Sequence, residues 1–135
     1  MEQFIVDSGA LLAMVDSSDK YHNAAAIFAR EHASATYYLP ELLFSETMTL
    51  VKARLGALPA VELGNRLRQS AIFKVVELNT ASREQTWQIF SRYTDKAWSY
   101  ADCAILAFAL QVQVYHVFSF DRHVSQMAEL ERVPA

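Results

Sequence analysis

Four acidic residues lie at the end of apolar runs of the sequence or inside them: Asp7, Glu46, Asp102 and Asp121. Asp7 directly follows residues 4–6, and Asp121 directly follows residues 117–120. Runs of this kind are buried in folded proteins, and a carboxylate among apolar side chains is costly unless it is paired or binds a metal. Four such residues in one short chain therefore suggest a shared cation.

Carboxylate clusters provide oxygen ligands, which suit hard cations and chiefly Mg²⁺ or Mn²⁺. Zinc is less expected, because no two of the four histidines are spaced i, i+4 and the single cysteine provides no thiolate cluster. Each histidine is therefore interpreted as a surface or capping residue: His22, His32, His116 and His123. With Mg²⁺ bound, a coordinated water becomes a nucleophile and one carboxylate can accept its proton, which is the chemistry of a phosphodiesterase or phosphatase.

Each acidic residue also has a purely structural interpretation. Asp7 could be the N-cap of the first helix, and Asp121 could be the N-cap of the last one. Asp102 lies three residues after Ser99, which is the spacing of a capping box, and this role is compatible with metal binding. Glu46 could be a solvent-facing helix residue. The case for a metal site therefore depends on the four residues converging in space.

The composition is that of one folded domain covering residues 1–135. The chain is 53% hydrophobic and 20% charged, which excludes a disordered protein. No apolar run reaches the roughly 18 uncharged residues that a membrane span needs, and the N-terminus lacks the basic start of a signal peptide. We therefore expect a cytoplasmic protein without a membrane partner. Cys103, the only cysteine, is interpreted as a small core residue of an alanine-rich helix.

The charge balance is mildly acidic, with 12 Lys and Arg residues against 15 Asp and Glu residues. This balance argues against broad, non-specific binding of nucleic acid, which usually requires a basic surface. It does not exclude a nuclease, because a metal that neutralised four of the acids would leave 12 positive against 15 − 4 = 11 negative charges.

Short apolar runs alternate with helical patterns along the chain. Strands are predicted at residues 4–6, 36–39, 73–78 and 114–118. Helices are predicted at residues 10–15, 22–32, 41–55, 59–70, 81–93, 99–111 and 122–128, with a short tail after them. Strands that alternate with helices predict an α/β domain with a mainly parallel sheet, and uniformly apolar strands predict a sheet covered on both faces.

This organisation gives the four acids an expected position. Asp7 and Asp121 each follow a predicted strand, and open α/β sheets bind ligands in the crevice outside the carboxyl ends of their strands. Glu46 lies about two turns into the helix after the second strand, and Asp102 lies near the start of the helix before the fourth. Both side chains can lean over the same crevice.

At these residues the sequence resembles the PIN-domain ribonucleases, and more narrowly the VapC-type toxins of bacterial and archaeal toxin–antitoxin modules. The four acidic motifs of that family are matched in order by residues 5–13, 40–46, 95–105 and 118–123. Nearly the whole chain is covered at family-like spacing. Val124 departs from the pattern, since the family often has Phe after Asp-Arg-His, and this is a packing change.

The resemblance implies a three-layer α/β/α sandwich with a central, mainly parallel sheet, and endoribonuclease activity that depends on Mg²⁺ or Mn²⁺. It also implies an RNA substrate, a homodimer and an antitoxin that inserts a helix or an extended arm near the acidic crevice. If the family's functional residues are transferred to the matching positions, the resemblance implies that the catalytic and metal-binding residues are Asp7, Glu46, Asp102 and Asp121. Ser8 and Ser99 would orient these carboxylates from a second layer.

The sequence is compatible with two other functions, and two further polar residues have alternative interpretations. A PIN-like module could bind RNA or a partner without cutting, and a small-molecule phosphatase would share the metal chemistry but usually needs a nucleophile or a glycine-rich phosphate loop. Asp95 is interpreted as a solvated loop acid, and Arg122 as either a phosphate contact or an ordinary surface residue. Surplus apolar residues at 41–55, 59–70 and 87–98 would suit a dimer face or an antitoxin groove.

Overall fold

The protein is described by a computed structural model that covers all residues from Met1 to Ala135. Five strands form the sheet: β1 (Gln3–Val6), β2 (Thr36–Pro40), β3 (Phe73–Val76), β4 (His116–Phe118) and β5 (Glu131–Val133). Seven helices surround them: α1 (Ser8–Val15), α2 (His22–Glu31), α3 (Glu41–Leu55), α4 (Ala57–Gln69), α5 (Thr80–Arg92), α6 (Tyr100–Val112) and α7 (Arg122–Ser125). The predicted α/β/α sandwich with a parallel sheet is confirmed, and no helix is long and apolar enough to cross a membrane.

The sheet has the strand order β3-β2-β1-β4-β5, and every neighbouring pair is parallel. From β1 the chain moves to β2 and β3 on one side and then returns to β4 and β5 on the other. The strand order therefore reverses between β1 and β4. In open α/β sheets a crevice forms at the carboxyl ends of the strands at such a point, because the flanking connections leave in opposite directions.

The core lies on the sheet and beneath α6. Ile5, Val117 and Phe118 are fully buried, and Phe28 of α2 stacks on Phe118 with ring centroids 4.4 Å apart. Helix α6 is buried from Ala101 to Ala109, and the small alanine side chains along it let the neighbouring elements pack closely against it. Its Cys103 is buried as predicted, and burial raises the pKa of the thiol to about 11.

The predicted elements are all present, with differences at their ends. The third strand ends at Val76 instead of residue 78, because its partner β2 ends at Pro40, which pairs with Val76 and is followed at once by α3. The last helix is only one turn long. The sequence prediction of a tail after it was wrong, because Glu131–Val133 form β5 at the edge of the sheet. There His116 Nε2 of β4 lies 2.9 Å from Glu131 Oε2.

Candidate functional site

A cleft of about 470 Å³ opens at the carboxyl ends of β1 and β4, where the strand order reverses. Its lining includes all six of the predicted site residues: Asp7, Ser8, Glu46, Ser99, Asp102 and Asp121. A larger groove of about 800 Å³ lies between α3, α4 and β3, but its lining contains one carboxylate, that of Glu41. The smaller cleft is therefore the one in which acidic groups converge.

Asp7 lies at the floor of the cleft, directly after the central strand β1. Its backbone N–H donates to the carbonyl of Phe118 at 3.0 Å, so the backbone at Asp7 is held against the end of β4. Asp7 occupies the N-cap position of α1 but its side chain makes no capping hydrogen bond, and the simple capping interpretation does not hold. The carboxylate instead points to the cleft and is 5% exposed.

Ser119 holds the Asp7 carboxylate, and sequence reasoning missed this residue. Its Oγ donates to Asp7 Oδ2 at 2.7 Å and accepts the backbone N–H of Asp121 at 3.0 Å. Ser119 is fully buried, so its hydroxyl links the first and last acids of the cleft away from solvent. The available signal was a polar residue inside the apolar run 117–120, two positions before Asp121.

Asp102 completes the capping box of α6 and faces the cleft at the same time. The backbone N–H of Ser99 donates to Asp102 Oδ2 at 2.9 Å, and the Asp102 N–H donates to Ser99 Oγ at 3.0 Å. The capping role predicted for Asp102 is thus confirmed. Ser99 orients this carboxylate through its backbone N–H, while its hydroxyl caps the helix.

Glu46 reaches the cleft from α3 and is half-buried. The Ser8 hydroxyl hydrogen-bonds to Glu46 Oε1, and the same Oγ lies 3.4 Å from Asp7 Oδ1. Ser8 therefore bridges two of the four acids. The Glu46 side chain lines the cleft and is hydrogen-bonded there, so its interpretation as an ordinary solvent-facing helix residue does not hold.

Asp121 is more exposed than Asp7 and Asp102, with 35% of its side chain accessible to solvent. Its Oδ1 accepts the backbone N–H of His123 at 2.8 Å, which makes Asp121 the N-cap of α7, as the structural interpretation predicted. Its side chain also lines the cleft. Capping and cleft-facing roles are thus combined in Asp121 as they are in Asp102.

His123 is a second cleft residue that sequence reasoning missed, since it was interpreted as a surface or capping residue. Its Nδ1 lies 3.3 Å from Asp102 Oδ2 and 3.4 Å from Asp121 Oδ1, so the side chain belongs to the cleft and not to the outer surface. A search for i, i+4 histidine pairs could not find it, because its neighbours are carboxylates, one of them on a distant helix. The spacing Asp121-Arg122-His123 was the available signal.

The electrostatics of the cleft favour a bound cation. The pKa of Asp7 is raised to about 6, chiefly by burial and also by the charges of Asp102 and Asp121, against the lowering effect of the Ser119 hydrogen bond. Burial also raises the pKa of Asp102, and the Ser99 backbone N–H opposes this. No Lys or Arg lies within 4.0 Å of any of the four carboxylates. Oxygen donors that repel each other and have no Lys or Arg partner fit a divalent ion.

The rest of the cleft lining includes a further acid, Asp19, one basic residue and two aromatic rings. Arg54 of α3 lines the cleft, 3.9 Å from Asp16. Tyr21 and Phe120 stack in parallel on its rim, with ring centroids 4.6 Å apart. Asp95 does not extend the acidic lining, since it is 71% exposed and pairs with Lys96 in a loop. Arg122 is exposed and does not line the cleft.

The chain is similar to proteins of known fold. The PIN domain family matches residues 4–130. Among solved structures, VapC20 from Mycobacterium tuberculosis, described as a sarcin–ricin loop cleaving toxin, has a TM-score of 0.82 at 23% identity over 91% of this chain and 93% of that one. FitAcB from Neisseria gonorrhoeae has a TM-score of 0.72 at 18% identity, covering 96% and 95% of the two chains.

DNA-bound VapBC from Salmonella typhimurium has a TM-score of 0.68 at 12% identity, covering 98% of this chain and 97% of that one. At these identities the likeness concerns the fold. No curated protein sequence matches the chain.

Proposed function

The chain belongs to the PIN domain family, and on that premise we propose that it is a metal-dependent endoribonuclease that cleaves RNA phosphodiester bonds, the toxin of a toxin–antitoxin pair. Residues 1–135 would form a single PIN-like domain. The observation that carries the proposal is the convergence in one cleft of carboxylates from four parts of the chain, without a Lys or Arg partner: Asp7, Glu46, Asp102 and Asp121.

We propose these four residues as the catalytic and metal-binding set, with Mg²⁺ or Mn²⁺ as the cofactor. When bound, such an ion lowers the pKa of a coordinated water and neutralises charge that builds on the phosphate. Asp7 and Asp102 are suited to hold it, because both are buried and each is fixed by a hydrogen bond, from Ser119 Oγ and from the Ser99 N–H respectively. Ser8 and Ser99 support the set as orienting residues.

Glu46, which is more exposed than Asp7 and Asp102, has a different role in this proposal. Glu46 stands on the α3 wall, where the Ser8 hydroxyl fixes one oxygen and leaves the other to accept a proton from the attacking water. Arg54 lies on the same helix and lines the cleft, and its guanidinium is suited to contact an RNA phosphate. The acids thus provide the chemistry while the basic residue positions the substrate.

The proposed partners follow from the family and the structural neighbours. VapC20 is described as a toxin that cleaves the sarcin–ricin loop, and the Salmonella structure is described as a VapBC complex with DNA. We propose for this chain a cognate antitoxin, a homodimer and a cytoplasmic RNA substrate.

Sequencing of RNA ends after induced expression tests the proposed activity in cells. Wild type is expected to produce new 5′ ends at recurrent sites and to slow growth. Asp7→Asn, which keeps the shape of the side chain but loses its charge, is expected to produce neither at equal protein abundance. Identical RNA ends from both proteins would contradict the proposal.

A metal titration separates a nuclease from a PIN-like module that only binds RNA or a partner. A catalytic cleft is expected to bind Mn²⁺ and to gain thermal stability as the Mn²⁺ concentration exceeds its Kd. Asp102→Asn should lose most of that gain, while Asp95→Asn should retain it because Asp95 lies in an exposed loop away from the cleft. No shift of Tm at millimolar Mn²⁺ would favour the binding module.

A further inference from the structure

The imidazole of His123 lies beside two of the cleft carboxylates without being hydrogen-bonded to either. Its Nδ1 is 3.3 Å from Asp102 Oδ2 and 3.4 Å from Asp121 Oδ1. Hydrogen bonds from N–H to oxygen usually span about 2.7–3.2 Å, and these two contacts are longer. The side chain is 22% exposed, so the ring is held at the cleft wall with its Nδ1 directed inward.

The spacing of these three groups matches that of ligands around one ion. A potential ligand atom from each of Asp102, Asp121 and His123 lies within 4.8 Å of the other two. In an octahedral shell with bonds of about 2.1 Å, adjacent ligand atoms are about 3 Å apart and opposite ones are about 4 Å apart. The two distances from Nδ1 to the carboxylate oxygens are close to the separation of adjacent ligands.

The local backbone fixes His123 in this position. Asp121 caps α7 by accepting the backbone N–H of His123 at 2.8 Å, so the two residues share one tight turn. Val124, the next residue, is fully buried and anchors that turn to the core. The turn therefore holds the backbone of His123 beside Asp121, at the wall of the cleft.

We propose that His123 is a metal ligand through Nδ1, beside Asp102 and Asp121, and that it shifts the preference of the centre from Mg²⁺ toward transition ions such as Mn²⁺. Mg²⁺ strongly favours oxygen ligands, whereas an imidazole nitrogen adds to the affinity for first-row transition ions. This inference rests on the proposed function, since it adds a ligand to the same metal site. It makes His123 a residue that selects the metal.

Electron spin echo spectroscopy of bound Mn²⁺ tests the proposal directly, because a coordinated imidazole produces modulation from its ¹⁴N nucleus. His123 is the only histidine that lines the cleft, so this signal has one source. Wild type is expected to show it. His123→Asn is expected to lose it, although Asn keeps an N–H donor near the position of Nδ1 and can still bond to the carboxylates. His116→Asn, which changes a surface histidine paired with Glu131, is the matched control.

Competition between Mn²⁺ and Mg²⁺ provides a second readout. His123→Asn should weaken Mn²⁺ binding by about tenfold and change Mg²⁺ binding by less than about threefold. If wild type binds Mn²⁺ without ¹⁴N modulation, or if the variant keeps the wild-type ratio of affinities, His123 is not a ligand and the proposed nuclease function stands. If wild type binds neither ion at millimolar concentration, the metal-dependent function itself is contradicted.

Discussion

Replacing Asp7 by Asn is expected to stabilise the metal-free protein at neutral pH. Burial, chiefly, raises the pKa of the Asp7 carboxyl from 3.8 to about 6, with a further contribution from the charges of Asp102 and Asp121. The difference between these two pKa values corresponds to roughly 3 kcal/mol against the folded state when the carboxyl is ionised. Asn removes the charge and keeps an oxygen that can accept the Ser119 hydroxyl.

The effect has a defined pH window. The folded protein binds the Asp7 proton more tightly than the unfolded chain does, so ionisation of Asp7 carries no penalty below about pH 4. The penalty grows as the pH rises from about 4 to about 6 and is constant above that range. Wild type and Asp7→Asn should therefore have similar Tm values at pH 4. At pH 7.5 the variant should unfold about 5–10 °C higher, since relaxation of the cleft reduces the full penalty.

Thermal unfolding by circular dichroism in EDTA, at pH 4 and at pH 7.5, measures this difference. Asp95→Asn is the control, because Asp95 is exposed and its neutralisation should leave the Tm nearly unchanged at both pH values. A variant that unfolds below wild type at pH 7.5 would refute the reasoning, and so would a difference that is equal at both pH values. Added Mn²⁺ should raise the Tm of wild type by more than that of Asp7→Asn.

Two substitutions and one labelling experiment test further contacts of the cleft and its supporting helix. Ser119→Ala removes the partner of both Asp7 Oδ2 and the Asp121 N–H, and urea unfolding should show a loss of about 1–3 kcal/mol; unchanged stability would mean that these groups find other partners. Ser99→Ala removes the capping hydroxyl of α6 and should cost about 1 kcal/mol in the same assay, with Mn²⁺ affinity retained because the Ser99 N–H still holds Asp102. Cys103, whose pKa burial raises to about 11, should react with a thiol reagent at pH 8 only when the protein is unfolded; rapid labelling of the native protein would contradict its burial.

The positions of Asp7, Asp102 and Asp121 could be predicted because they depend on local patterns. Apolar runs place Asp7 and Asp121 after strands, and parallel strands place those ends at one edge of the sheet. The spacing from Ser99 to Asp102 predicts a capping box, which fixes where Asp102 points at the start of α6. Each of these features depends on a few neighbouring residues, and the tertiary packing of the protein preserves it.

The supporting contacts of Ser119 and His123 could not be predicted, because they join distant parts of the chain. Ser119 reaches Asp7 only because β1 and β4 are neighbours in the sheet, although 112 residues separate the two in sequence. His123 is on α7 and Asp102 is on α6, and core packing sets the relative orientation of these two helices. Strand β5 has three residues, one of them Glu131, and becomes a strand only through its pairing with β4.

RNA cleavage by the purified protein, followed as the Mn²⁺ concentration is varied, is the most direct test of a metal-dependent acidic cleft. With total bacterial RNA as substrate, the rate for wild type should rise to saturation with Mn²⁺ and fall to background in EDTA. Asp102→Asn should be slower by at least about a hundredfold, and Asp95→Asn should match wild type. Cleavage that persists in EDTA, or an Asp102→Asn protein as fast as wild type, would contradict the assignment of the cleft.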